Sequence, residues 1–115
     1  MTIHQIRIYE IFESNKQFFH DRFRDHAARI MRRHGFDLIG MWEAQTPERT
    51  EFVYLLRWPS IAAKETAWSA FMDDEEWAEI KRVTGAAHGR LVGAIEDRIL
   101  LPTAYSPALL DRTQC

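Results

Sequence analysis

Phe36-Asp-Leu-Ile-Gly-Met-Trp-Glu-Ala-Gln-Thr-Pro-Glu-Arg-Thr-Glu-Phe-Val-Tyr-Leu-Leu-Arg-Trp58 is the stretch that decides the fold. Its second half, Glu51 to Trp58, alternates with period two. Phe52, Tyr54, Leu56 and Trp58 share one face, and Val53, Leu55 and Arg57 share the other, as in a strand with two usable sides. Its first half, Phe36 to Ala44, reads as a partner strand with Phe36, Leu38, Gly40 and Trp42 on one face and Ile39 and Met41 on the other. The polar segment Thr46-Pro47-Glu48-Arg49-Thr50 joins them. So short a connection between two strands makes a hairpin.

Working outward, Ile3 to Phe12 alternates as another strand, with Ile6, Ile8 and Glu10 on one side and Arg7, Tyr9 and Ile11 on the other. Ser14 and Gln17 have the spacing of a capping box. A stripe of Phe19, Phe23, Ala27, Ile30 and Met31 follows, and the helix runs to Arg32-Arg33-His34 with Gly35 as its C′ residue. After the hairpin, Pro59-Ser60 stops the third strand and caps a helix over about 61–72, whose apolar side is Ile61, Trp68, Phe71 and Met72. Asp73-Asp74-Glu75-Glu76 places acids at a further helix start. That helix carries Trp77, Ile80 and Val83 and is expected to end near Gly85. Arg90 to Leu101 is the last strand. From about residue 102 a proline-containing tail is expected to be extended and to pack against something.

The order β-α-β-β-α-β implies one α+β domain over residues 1–115. Its architecture is ferredoxin-like, a four-stranded antiparallel sheet with helices on one face. If Ile6 and Ile8 face the helices, then Arg7 and Tyr9, Leu38 and Trp42, and Tyr54, Leu56 and Trp58 lie on the bare face. A patch of that kind implies an interface, and a second copy packed sheet to sheet is the simplest cover, giving a homodimer with a barrel-like interior.

Composition narrows the function. Lys and Arg number 15 against 17 Asp and Glu, so no basic footprint for nucleic acid or anionic lipid exists. No apolar run is long enough to span a bilayer, and the N-terminal residues do not resemble a secretory signal, so a cytoplasmic protein is expected. The single cysteine, Cys115, excludes an internal disulfide and a cysteine zinc site. The serines lack the surroundings of a nucleophile elbow. The histidines His4, His20, His26, His34 and His88 form no metal-binding spacing, so neither a metal nor another cofactor is expected. What stands out is the aromatic content: seven Phe, three Tyr and four Trp in 115 residues.

The strand pattern resembles the NIPSNAP family, related to the antibiotic-biosynthesis monooxygenase-type barrels. The resemblance rests on Gln5-Ile-Arg-Ile-Tyr9, Arg33-His-Gly-Phe-Asp-Leu-Ile-Gly-Met-Trp42, Glu51-Phe-Val-Tyr-Leu-Leu-Arg-Trp58, Asp74-Glu-Glu-Trp77, Glu96-Asp-Arg-Ile-Leu100 and Pro102-Thr-Ala-Tyr-Ser-Pro107. It covers almost the whole chain and implies a dimeric α+β barrel with a cavity between sheet and helices. Tyr54 stands where the family's third strand often carries His, so a mechanism built on that imidazole does not transfer.

The candidate ligand-binding residues are Arg7, Tyr9, Trp42, Tyr54, Trp58, Glu96 and Arg98. Arg7 offers a planar fork for an anionic oxygen, or else forms an ion pair with Glu43, Glu96 or Asp97. Trp42, Tyr54 and Trp58 form an aromatic slot with one phenol donor, or else pack a dimer core. Glu96 and Arg98 are expected opposite Arg7 and Tyr9, or else form a cross-strand salt bridge. Together these residues suit a small hydrophobic or aromatic molecule. The chemistry that such a site could support is cofactor-independent monooxygenation or isomerisation through a stabilised enolate. The competing readings are a non-enzymatic dimeric scaffold, and a haem-binding protein for which no histidine singles itself out.

Overall fold

The structure, a computed structural model, describes residues 1–109. Four strands, β1 (Ile3–Ile11), β2 (Asp37–Gln45), β3 (Thr50–Trp58) and β4 (Val92–Leu100), form one sheet in the order β2-β3-β1-β4 with antiparallel neighbours. Helices α1 (Lys16–Arg22) and α2 (Ala28–Arg33) follow β1, and α3 (Ile61–Met72) and α4 (Glu75–His88) follow β3. This is the expected ferredoxin-like α+β arrangement, with the hairpin at 46–49 and two helices in the second crossover.

The assignment of faces is corrected. Arg7 and Tyr9 point toward the helices, not away from them: Tyr9 meets the Phe19 ring edge-on at 6.2 Å, and the Arg7 guanidinium lies 4.4 Å from the Trp68 ring centre. Ile3, Gln5 and Ile11, which share their side, are buried. Tyr54, Leu56 and Trp58 are likewise buried under the helices. The open face carries Ile6 and Ile8, with Val53 and Leu55 on the neighbouring strand. Alternation fixed the period of β1 but not its sign, because both sides are rich in apolar residues.

Trp42 leaves the face of Leu38 for a different reason. Leu38 pairs with Leu56 but Gly40 pairs with Leu55, so Ile39 is one residue too many. This β-bulge reverses the alternation downstream. Met41, not Trp42, lies opposite Tyr54, and Trp42 lies opposite Val53 with 54% of its surface exposed.

Phe19, Phe23, Ala27 and Met31, spaced by four, are all buried. In a regular α-helix such a series would drift by about 40° per step. A π-helical turn over Phe23–Ala27, in which the Ala28 N–H donates to the Phe23 carbonyl, joins α1 to α2. Its wider turn keeps the four side chains in register with the sheet.

Helix ends follow side-chain chemistry, with one correction. The Ser14 capping box does not form. Asn15 is the N-cap of α1, and its amide donates across to the carbonyls of His88 and Arg90 at 3.4 and 3.1 Å. Ser60 caps α3 by accepting from Ala63 N at 3.1 Å. Gly35, with φ +89°, closes α2, whereas α4 runs past Gly85 to His88 and stops at Gly89, φ +77°. Ile61, Met72 and Val83 are exposed rather than packed. The tail turns at Thr103–Ser106, is exposed as far as Leu109, and borders a groove with His4, Leu55 and Arg57 of the open sheet face. Cys115 lies outside the described residues.

Asp74 ties the two helical layers together. One carboxylate oxygen caps α4 by accepting from Trp77 N at 2.9 Å; the other accepts from Arg33 Nη2 and faces His34 Nε2, both at 2.8 Å. Those partners, His34 foremost, hold its carboxyl well below the usual carboxylate range. Asp74→Ala removes cap and charge together and should cost about 1–2 kcal/mol in urea unfolding. Asp74→Asn keeps an acceptor for the cap and should cost less. Because the folded-state carboxyl is depressed, the Asp74→Asn penalty should be present at pH 5 and fade below pH ~4, where the unfolded carboxylate takes up its proton. A penalty that grew on acidification would contradict this.

Candidate functional site

The odd-numbered side of β1 builds a buried polar network. Gln5 is fully buried. Its Oε1 accepts from the indole nitrogens of Trp58 and Trp68 at 2.9 and 2.8 Å, and its Nε2 donates to both Asp97 oxygens at 2.9 and 3.0 Å. Two residues on, Arg7 donates to Asp97 Oδ2 at 2.7 Å through Nη1, to the Tyr9 hydroxyl at 3.0 Å through Nη2, and to the Tyr54 hydroxyl at 3.2 Å through Nε. The two phenol oxygens lie 2.6 Å apart. Strand register accounts for this: Arg7 pairs with Tyr54 on β3 and with Asp97 on β4.

Hydrogen accounting gives the two phenols different roles. Distance alone leaves either phenol as the donor. Tyr54 is fully buried and accepts from Arg7, and among the described residues the Tyr9 oxygen is the one acceptor within its reach, so the arrangement that satisfies it has Tyr54 donating to Tyr9. Tyr9 then accepts from both Tyr54 and Arg7, which uses its two lone pairs. Its own hydrogen is left to point into the space beneath the helices.

That space is a cavity of about 210 Å³ between sheet and helices. Arg7 and Tyr9 form part of its floor, Phe19, Phe23 and Met31 one wall, and Trp68, Phe71 and Trp77 the other. Its rim is formed by the exposed Met72 and Ile95 with Arg22 and Lys81. Among the described residues no acidic side chain lines it.

Of the candidate residues, the structure brings Arg7, Tyr9, Tyr54 and Trp58 into one network, with Tyr54 and Trp58 behind the cavity rather than on its surface. Three do not join. Trp42 is carried to the opposite face by the bulge and lies over Gly40. Glu96 and Arg98 pair in register with Ile8 and Ile6, not with Arg7 and Tyr9, so they too lie on the open face. Arg98 Nη2 lies 4.0 Å from Glu96 there. Asp97, one residue between them, is the Arg7 partner. Sequence reasoning missed Gln5, Trp68 and Arg22 as site residues. The usable signal was Gln5, an amide at the centre of a strand on the side of Ile3 and Ile11. Among the described residues no group of histidine, cysteine and carboxylate side chains could hold a metal, and no helix is long and apolar enough to cross a membrane.

Gln5→Leu strands two indole N–H groups and should cost at least ~2 kcal/mol in chemical unfolding. Tyr54→Phe leaves Arg7 Nε without its acceptor and should cost about 1–3 kcal/mol. Wild-type stability in both variants would show that the network contributes nothing.

The fold can be set beside known proteins. No curated protein matches the chain. Among solved structures, a NIPSNAP-like domain protein from Burkholderia xenovorans is 23% identical, with a TM-score of 0.79 over 95% of this chain and 91% of its own. A NIPSNAP family protein from Agrobacterium tumefaciens is 22% identical, also at 0.79, over 93% and 98%. A Streptomyces coelicolor monooxygenase in complex with nanaomycin D shares the fold more loosely, at 0.57 and 14% identity over 95% and 91%. The NIPSNAP family model matches residues 4–107. With almost its whole length accounted for by that match, the chain belongs to the NIPSNAP family.

Proposed function

We propose that this protein is a homodimer that binds a small, flat, largely apolar molecule in the cavity between sheet and helices. The observation that carries the reading is the Tyr9 hydroxyl: one hydrogen bond donor, fixed by Arg7 and Tyr54, at the floor of an aromatic pocket. Apolar walls with a single convergent polar group are how a small-molecule site is built. The donor suits a carbonyl oxygen, and it strengthens if that oxygen becomes an enolate. Stabilising such an anion is a requirement shared by cofactor-independent oxygenation and isomerisation. The looser likeness to a monooxygenase supports the same class of chemistry.

The dimer is proposed from the open face. Ile6, Ile8, Val53 and Leu55 form an aliphatic stripe bordered by Trp42 and Leu100; among the described residues no helix covers it, and the tail from Leu101 to Leu109 borders it only at the Leu55 end. A second copy of the same face is self-complementary and satisfies the stripe by two-fold symmetry.

Two outcomes are expected. Light scattering at micromolar concentration should give twice the 13.6 kDa chain mass, and Leu55→Lys should return it to one chain mass. A wild-type monomer would refute the dimer. Native mass spectrometry should find a small molecule retained by the wild type and lost from Ile95→Trp, which blocks the cavity rim without disturbing the buried core. Equal retention by both would place the ligand elsewhere.

A further inference from the structure

We infer that the ligand of the cavity is an organic monoanion of about the size of one aromatic ring with a short carboxylate arm, held by Arg22 at the rim. This rests on the proposed use of the cavity and adds the charge and size of its occupant.

Three observations converge. The first is charge. Arg22 and Lys81 both lie against Trp77, with the Arg22 guanidinium 5.4 Å and the Lys81 ammonium 5.7 Å from its ring centre. Neither has an acidic partner among the described residues, whereas the helix arginines Arg24, Arg29, Arg33 and Arg82 each have one. Arg7 also reaches the cavity, but Asp97 already neutralises it.

The second is donor capacity. Among the described residues Arg22 makes one side-chain hydrogen bond, from Nη1 to Thr84 Oγ1 at 3.0 Å. A guanidinium has five N–H donors in a fork that fits a carboxylate. Four are left. Burial pulls the Arg22 group below its ordinary pKa. A cation half removed from water, with no counter-charge, is stabilised by any anion that enters. Tyr9 contributes its unspent hydrogen from the floor.

The third is size. An apolar cavity of ~150 Å³ accommodates benzene. The 210 Å³ here has room for such a ring and a two- or three-atom arm. The ring belongs among Phe19, Phe23 and Phe71, and the carboxylate toward Arg22 and Lys81. A polyanion finds too few cations, and a fused polycyclic ring system too little space.

Phenylacetate and its neutral isostere phenylacetamide separate charge from shape. Titration of the wild-type protein, read by the fluorescence of Trp68 and Trp77 and by calorimetry, should show phenylacetate binding at least tenfold more tightly than phenylacetamide. Acetate should not bind. Arg22→Gln should weaken phenylacetate at least tenfold and leave phenylacetamide within twofold. Lys81→Met, a change at the rim, should act in the same direction by a smaller factor. Equal binding of acid and amide by the wild type would overturn the inference while leaving the cavity as a neutral-ligand site. Binding of neither would overturn the cavity reading and the inference with it. The wild-type comparison decides even if Arg22→Gln fails to fold.

Discussion

The amide of Gln5 is the constraint on which the rest of the structure depends. A neutral amide with no exposure to water must have its acceptor and donors met within the protein. Here Trp58 comes from β3, Trp68 from α3 and Asp97 from β4, so one side chain fixes three elements against β1. Asp97, oriented by Gln5, then receives Arg7, and Arg7 orients both tyrosines. The polar floor of the cavity is therefore an extension of a structural network. Its donors are held in place before any ligand arrives, which is what preorganisation requires.

Much of the fold was legible because it depends on period. The hairpin, the succession of strands and helices and the extent of the first helical segment all follow from alternation, from four-residue spacing and from Pro and Gly placement. What was not legible depends on sign and on single-residue insertions. Ile6 and Ile8 look more like core residues than Gln5, Arg7 and Tyr9 do, yet the polar set lies inside, because its members satisfy one another across strands that are far apart in sequence. Likewise nothing local in Leu38-Ile39-Gly40 announces that Ile39 is unmatched, since a bulge is defined by the partner strand. Four of the seven candidate residues nonetheless lie in one network. Alternation had placed them on the other side of the sheet.

That correction changes how two readings of the protein relate. With the aromatic residues on the open face, a dimer would consume the ligand slot, and scaffold and binding protein would be rivals. With the aromatics under the helices and an aliphatic stripe on the other side, the sheet separates the two tasks. On the proposed reading, one face is left to a second copy and the other to a small molecule.

The π-helical turn gives this separation a genetic reading. It holds one residue more than the α-helix around it would need. Deleting a residue between Phe23 and Ala27 would restore regular α-helical bonding and rotate everything beyond it by about 100°. Ala27 and Met31 would swing off the cavity, and Arg33 would lose its line to Asp74. Reading-frame length in this segment is thus coupled to pocket shape: a chain one residue shorter there would form a better helix and a poorer container.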